Sequence, residues 1–277
     1  MQTPAVPGNL LAGIRPRLAP RLRSASGDGK TATPGNRIAT LMTGFPIMHR
    51  CRKPGDYLFR TGDDFHFFHV LREGFAKTCY MQEDGQEQTI GFHLRGDILG
   101  LDAVASGTYG CDAVALDTCE VLAIPYDAVI ARGQSNPDLV RELHRAFSAT
   151  IRSERDLMLS SGSLLAEGRV AAFLLEMSHR FAACGFSATE LQLRLSRQEI
   201  GSMLGLKLET VSRTFSRFAK LGLISVYLRE IVLLDRGGLL DIIAQPASRE
   251  RRSKKTDDDK FFCRTHGLLR AISTEVK

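Results

Sequence analysis

Long apolar runs are missing from this 277-residue chain. No stretch approaches about 18 uninterrupted apolar residues, so no membrane-spanning helix is expected. No continuous apolar segment follows the basic residues near the N-terminus, which argues against a secretory signal. Closely paired cysteines are missing too. Cys51, Cys79, Cys111, Cys119, Cys184 and Cys263 are scattered, and none stand at CxxC spacing. That argues against a zinc or iron–sulfur site held by a compact motif and suits free thiols in a reducing cytoplasm. Acidic residues are scarce at the start, where Arg15, Arg17, Arg21, Arg23 and Lys30 face only Asp28.

What is present is ordinary for a globular protein: 43% hydrophobic and 25% charged residues, in a length that suits two domains. The net charge of +6 favours nucleic acid or an anionic surface as partner. Part of the excess lies at the ends, since Arg249, Arg251, Arg252, Lys254 and Lys255 crowd the start of the tail.

The chain divides by texture. Residues 1–36 are rich in Pro, Gly, Ala, Ser and Arg and read as a disordered basic extension, with an organelle transit peptide as the rival. Over 37–135, short apolar stretches alternate with turn signals such as Pro54-Gly55-Asp56, Arg72-Glu73-Gly74 and Glu83-Asp84-Gly85. Strands at that spacing predict a β-sandwich or roll, with Phe59, Phe65, Phe67, Phe68, Val70 and Leu71 in its core. Asn136-Pro137-Asp138 opens a long helix over 136–162. Val140, Leu143, Phe147, Ile151 and Met158 make a near-heptad stripe on it, with Glu154 in the gap. Such a stripe is expected to pair with a second copy; packing on its own sandwich is the alternative. Two Glu154 copies facing each other would weaken that pairing; an outward Glu154 paired with Arg152 or Arg155 would not. A further amphipathic helix follows over 166–183, and the domain it opens spans 163–246. Residues 247–277 read as a charged, disordered tail.

The informative stretch is 195–235. Ser196 and Glu199 form a capping box, and Gly205 stands at the turn before a second helix that begins near Leu208 and ends before Gly222. Two short helices joined by a tight turn define a helix-turn-helix. On the second helix Val211, Phe215 and Phe218 face the core, while Glu209, Ser212, Arg213 and Ser216 line another face. Arg forks onto guanine, Glu accepts from cytosine N4 and Ser suits either class, so Glu209, Ser212 and Arg213 are the candidate base readers. A solvated face with an internal Glu209–Arg213 pair is the plain alternative. Two β-prone runs around Leu228-Arg229-Glu230 add a wing, and Lys207, Arg217, Lys220 and Arg229 become candidate phosphate contacts.

Three segments, GFHLRGDILGLDAVASG (91–107), EGRVAAFLLEMSHRFAACGFS (167–187) and LSRQEIGSMLGLKLETVSR (195–213), make residues 45–245 similar to the CRP/FNR family of bacterial transcription regulators, within it most to the FNR branch. The Glu209–Ser212–Arg213 pattern is the most specific element. The resemblance implies an α+β fold: a double-stranded β-roll of the cyclic-nucleotide-binding type, a long dimerisation helix and a C-terminal winged helix-turn-helix. It implies a cytoplasmic homodimeric activator, not an enzyme, that binds an inverted repeat of TTGAT half-sites. Anaerobic, redox or nitrogen-oxide-related genes would be its targets. It also implies that the acidic hairpin tip carrying Glu83, Asp84 and Glu87 touches RNA polymerase. Lys207 departs from the family, standing where a hydroxyl residue commonly caps the second helix.

The cofactor patterns of the family are not met. No cysteine precedes Cys51, and Leu122 stands where the FNR branch has its internal iron–sulfur ligand, with Cys119 three residues early. Gly100-Leu101-Asp102 and Gly110-Cys111-Asp112 lack the Glu and Arg that the CRP branch uses for cyclic AMP. Neither an iron–sulfur cluster nor cyclic AMP is expected. Three possibilities stay open: no cofactor, a redox thiol at Cys184, or haem or another small ligand in the roll with His66, His69 or His93 as ligands. A roll-based ligand sensor with a different operator is the second reading. A metal-dependent cupin-like enzyme is the third, and no acidic or His set around His66 and His69 completes its site.

Overall fold

The computed structural model describes residues 33–244. Most of the basic extension and the charged tail lie outside the described residues. Helix α1 (Pro34–Leu41) starts inside the segment expected to be disordered, with proline in its first turn. It buries Ile38 and packs on the roll that follows.

The roll consists of β1 (Met48–Arg52), β2 (Tyr57–Phe59), β3 (Phe67–Glu73), β4 (Ala76–Met81), β5 (Glu87–His93), β6 (Ile98–Leu99), the short α2 (Ala103–Ser106), β7 (Asp112–Ala115) and β8 (Cys119–Pro125). They form two four-stranded antiparallel sheets, ordered β1-β8-β3-β6 and β2-β7-β4-β5. Phe59, Phe65, Phe68, Val70 and Leu71 are buried between them, as the alternation predicts. Phe67 is only half-buried, and Arg50 covers its ring at 5.3 Å.

Helix α3 (Tyr126–Gly133) leads into α4 (Pro137–Ser163). The Asn136 side chain caps α4 by accepting from the amides of Asp138 and Leu139, at 3.1 and 3.2 Å. The stripe on α4 divides. Leu139 and Ala146 are buried against the roll, with Leu143 and Phe147 beside them. Ile151 is 65% exposed and Met158 75%. Packing on its own roll therefore accounts for the first half of the stripe only.

The C-terminal unit contains α5 (Ala166–Ala183), β9 (Glu190–Gln192), α6 (Arg197–Leu204), α7 (Leu208–Lys220), β10 (Ile224–Tyr227), β11 (Glu230–Leu233) and α8 (Arg236–Ala244). The wing is a three-stranded sheet, β10-β11-β9, to which β9 adds a strand that its three residues did not announce. Val170, Phe173, Leu174, Met177 and Phe181 of α5 form one core with Val211, Phe215 and Phe218 of α7. Three roll residues, Phe75, Phe92 and Leu94, belong to this second core. The rings of Phe75 and Phe92 stack at 5.8 Å, and Phe75 meets Phe181 at 6.0 Å. Burying each such side chain contributes about 1.5–3 kcal/mol, so the two units are joined by more than the hinge at 164–165.

Candidate nucleic-acid interface

The interface is built from the turn between α6 and α7. Ser196 Oγ accepts from the Glu199 amide at 3.2 Å, and Glu199 Oε2 accepts from the Ser196 amide at 2.6 Å, completing the capping box. Gly205 closes α6 in the left-handed region, at φ +63°. A side chain at Gly201 would come within 2.6 Å of the Leu206 carbonyl oxygen, so only glycine lets the turn fold this tightly against α6. Lys207 caps α7 by position with no side-chain hydrogen bond to the helix, as its departure from the family pattern implies. Arg197 lies over the Phe215 ring at 3.9 Å and clamps the two helices together. Arg169 donates to the Leu164 carbonyl (3.1 Å) and the Leu204 carbonyl (3.2 Å), tying the hinge before α5 to the end of α6.

Against this support α7 presents one polar face. Val211, Phe215 and Phe218 are buried, while Glu209, Arg213, Ser216, Arg217 and Lys220 are exposed and Ser212 is partly exposed. Ser212, Arg213, Ser216, Arg217 and Lys220 line one open cleft. The Ser216 hydroxyl donates to the Ser212 carbonyl at 3.0 Å and is committed to its own helix. No Glu209–Arg213 ion pair forms among the described residues. Arg217 is engaged: its Nη1 lies 2.6 Å from Glu167 Oε1 at the start of α5. Lys207 is exposed at the mouth of α7. Arg229 sits in the two-residue turn of the wing and donates to the Arg194 carbonyl at 3.3 Å. Leu228 beside it has φ +54°, unusual for a non-glycine residue, and is 81% exposed.

The remaining candidates are dispersed. Glu83 and Asp84 are exposed at the β4–β5 hairpin tip, but Glu87 pairs with Lys77 at 2.5 Å. Glu154 is exposed, and Arg155 pairs with Asp156 at 3.2 Å instead. Cys184 Sγ donates to the Arg95 carbonyl at 3.2 Å, and burial pushes its thiol up to about 11, opposite to what a reactive thiolate requires. Burial likewise pushes Cys79 and Cys111 up to about 12. His66 is exposed; His93 accepts from or donates to Thr78 Oγ1 at 3.0 Å, where the roll meets α5. His69 is 2% exposed among Phe59, Phe67 and Tyr109, with no hydrogen-bond partner for either ring nitrogen among the described residues. Burial holds it neutral, with its pKa lowered to about 4.

The donors a cyclic phosphate needs do not fit here. Tyr109 packs beneath Gly100, stacks on Phe59 at 4.0 Å and gives its hydroxyl to the Phe67 carbonyl. The Asp112 carboxylate accepts from the Thr61 amide at 2.7 Å and adds negative charge at the same end. Nor do the thiols fit an iron–sulfur cluster. Leu122 is buried as a core residue, and Cys119 Sγ faces the Phe75 and Asp117 carbonyls. Among the described residues no three His, Cys, Asp or Glu side chains come together as metal ligands, and no helix is long and apolar enough to cross a membrane.

A β-roll joined through a long helix to a winged helix-turn-helix with an open, cationic second helix defines a DNA-binding regulator. Comparison with known proteins agrees. The profile of the cyclic nucleotide-binding domain matches residues 50–136, and that of the Crp-like helix-turn-helix domain matches residues 168–242. The transcriptional activator protein Anr of Pseudomonas aeruginosa is 42% identical over 183 residues, covering 66% of this chain and 75% of its own. The fumarate and nitrate reduction regulatory protein of Escherichia coli is 37% identical over 197 residues, covering 71% and 77%. The structure of FixK2 from Bradyrhizobium japonicum superposes with a TM-score of 0.66 at 28% identity, covering 73% of this chain and all of that one. The chain belongs to the CRP/FNR family of transcription regulators, which are not enzymes.

Proposed function

We propose that the protein is a cytoplasmic, homodimeric transcription activator that reads an inverted repeat of TTGAT half-sites. The observation that carries this is the polar face of α7, with Glu209 and Arg213 exposed opposite the buried Val211, Phe215 and Phe218. Glu209, Ser212 and Arg213 contact base edges. Lys207, Lys220 and Arg229, together with Arg217 once released from Glu167, contact phosphates and set the register. Two copies pair through the open half of α4, where Ile151 and Met158 are bare; Val140, Leu143 and Phe147 contribute from the half that also packs on the roll. Pairing places two recognition helices about one DNA turn apart, roughly 34 Å. Glu83 and Asp84 at the hairpin tip form the contact to RNA polymerase. The relatives' names, an activator, an anaerobic regulatory protein and a fumarate and nitrate reduction regulator, support control of anaerobic, redox or nitrogen-oxide-related genes. DNA binding requires neither an iron–sulfur cluster nor cyclic AMP.

The test is a fluorescence-anisotropy titration of aerobically purified protein against a TTGAT-N4-ATCAA duplex and a scrambled control at fixed salt. Selective binding without added cofactor is expected; equal weak binding to both duplexes contradicts the reading. A second reading, a roll that admits a small hydrogen-bonding ligand, is favoured by the unpartnered ring nitrogens of His69.

A further inference from the structure

The DNA-binding unit does not hang free of the roll. Strand β5 is the edge of its sheet, and α6 lies along it. The Thr89 amide on that edge donates to Ser202 Oγ of α6 at 2.8 Å. Lys77 of β4 reaches the same place. It is 8% exposed, and its Nζ lies 2.5 Å from Glu87 Oε1 of its own sheet and 2.8 Å from Glu199 Oε1 of α6. Burial alone would pull the ammonium down, yet its hydrogen bonds to Glu199 and Glu87 leave it above its ordinary value. Burial alone would raise the Glu199 carboxyl, and bonds from Lys77 and Ser196 hold it down. A cation thus sits between two carboxylates, one from each unit, and without it those carboxylates repel across the joint. Arg180 of α5 adds bonds to the Phe92 carbonyl (2.9 Å) and to Asp97 (2.5 Å), and Arg194 pairs with Asp117 at 2.9 Å.

From this bridge we infer that Lys77 is a positioning residue for operator spacing. It touches no DNA. It fixes the angle of the recognition unit to α4, and hence the separation of the two α7 helices in a dimer. The inference rests on the dimeric reading above. Two binding modules joined rigidly engage two sites at one separation only, whereas a loose joint tolerates several at lower effective concentration. Glu199 carries both duties, capping α6 through Oε2 and holding Lys77 through Oε1.

The experiment uses the full chain as wild type, Lys77→Met and Glu199→Gln; the glutamine keeps an acceptor for the cap and loses the charge. Each is titrated against duplexes whose TTGAT half-sites are separated by four, five or six base pairs. Sedimentation and thermal melting report dimerisation and folding. The wild type is expected to prefer one separation sharply. Both variants are expected to reject the scrambled duplex still, while their preference between separations falls by about tenfold. A variant that binds more weakly but keeps the full preference overturns the inference. So does one that binds every separation more tightly with the preference unchanged, since that marks the bridge as a brake. Hydrogen exchange at the Thr89 amide is a readout that needs no operator. It must accelerate in Lys77→Met, and unchanged protection overturns the inference even where the TTGAT reading itself fails.

Discussion

Arg213 and Arg217 stand one helical turn apart on α7, yet their surroundings differ. Arg213 is exposed in the cleft and has its guanidinium available for a base edge; Arg217 is held by Glu167. Replacing Arg213 with Ala is expected to cost about 1–3 kcal/mol on the TTGAT duplex and to relax discrimination at one base pair, measured with single-base-substituted duplexes. Replacing Glu167 with Gln frees Arg217 for phosphate. Affinity for any duplex then rises, and the salt dependence steepens by about one unit of slope; the gain vanishes when Arg217→Ala is added. His69 supplies a pH signature. Its folded pKa of about 4 lies below the ordinary histidine value of 6.5, so unfolded chains take up the proton first as pH falls. The stability that the neutral ring contributes is complete above about pH 6.5 and drains away towards pH 4, by up to about 1.4 kcal/mol per pH unit. Denaturant melts of wild type and His69→Leu across that range check this: the wild type must lose stability relative to the variant as pH drops. These pairings were out of reach of the sequence. Arg217 and Glu167 lie fifty positions apart, and nothing local to His69 distinguishes a buried ring from an exposed one.

At the scale of elements, the helices were legible because their periodicity and caps are local. The capping box at Ser196, Asn136 before Pro137 and the apolar face of α5 all recur in the fold where spacing put them. Helix α1 was missed because Pro34 and Gly35 look like linker, though Gly35 is buried and its amide donates to the Gly96 carbonyl. The stripe on α4 is continuous in sequence but forms two surfaces, since a helix longer than the roll packs on it only as far as the roll extends. The open half makes the next prediction. Ile151→Asp or Met158→Asp, at positions bare in a single copy, is expected to shift sedimentation towards monomer and to lower the melting temperature only at concentrations where the wild type is dimeric. Glu154→Ala is expected to tighten the dimer by removing paired like charges. Unchanged dissociation in all three would detach α4 from dimerisation.

For the whole molecule, family membership and the order of units were readable because each unit carries its own pattern. What was not readable is the joint. Nothing local to Lys77, Phe75 or Phe92 marks them as joint residues, because the groups that enclose them come from α5 and α6, about a hundred residues on. The result is a winged helix-turn-helix whose α6 is braced against the edge of the roll.

The claim on which all of this depends is that α7 reads sequence through Glu209, Ser212 and Arg213. The most direct test crosses each single-residue variant, to Ala, with duplexes altered at each base pair of TTGAT, and measures affinity for every combination at one salt concentration. Each variant is expected to lose its penalty against one altered base pair, giving coupling energies concentrated at particular residue–base pairs. Uniform losses across all duplexes, with no coupling at any base pair, would show that α7 holds DNA without reading it and would contradict the account.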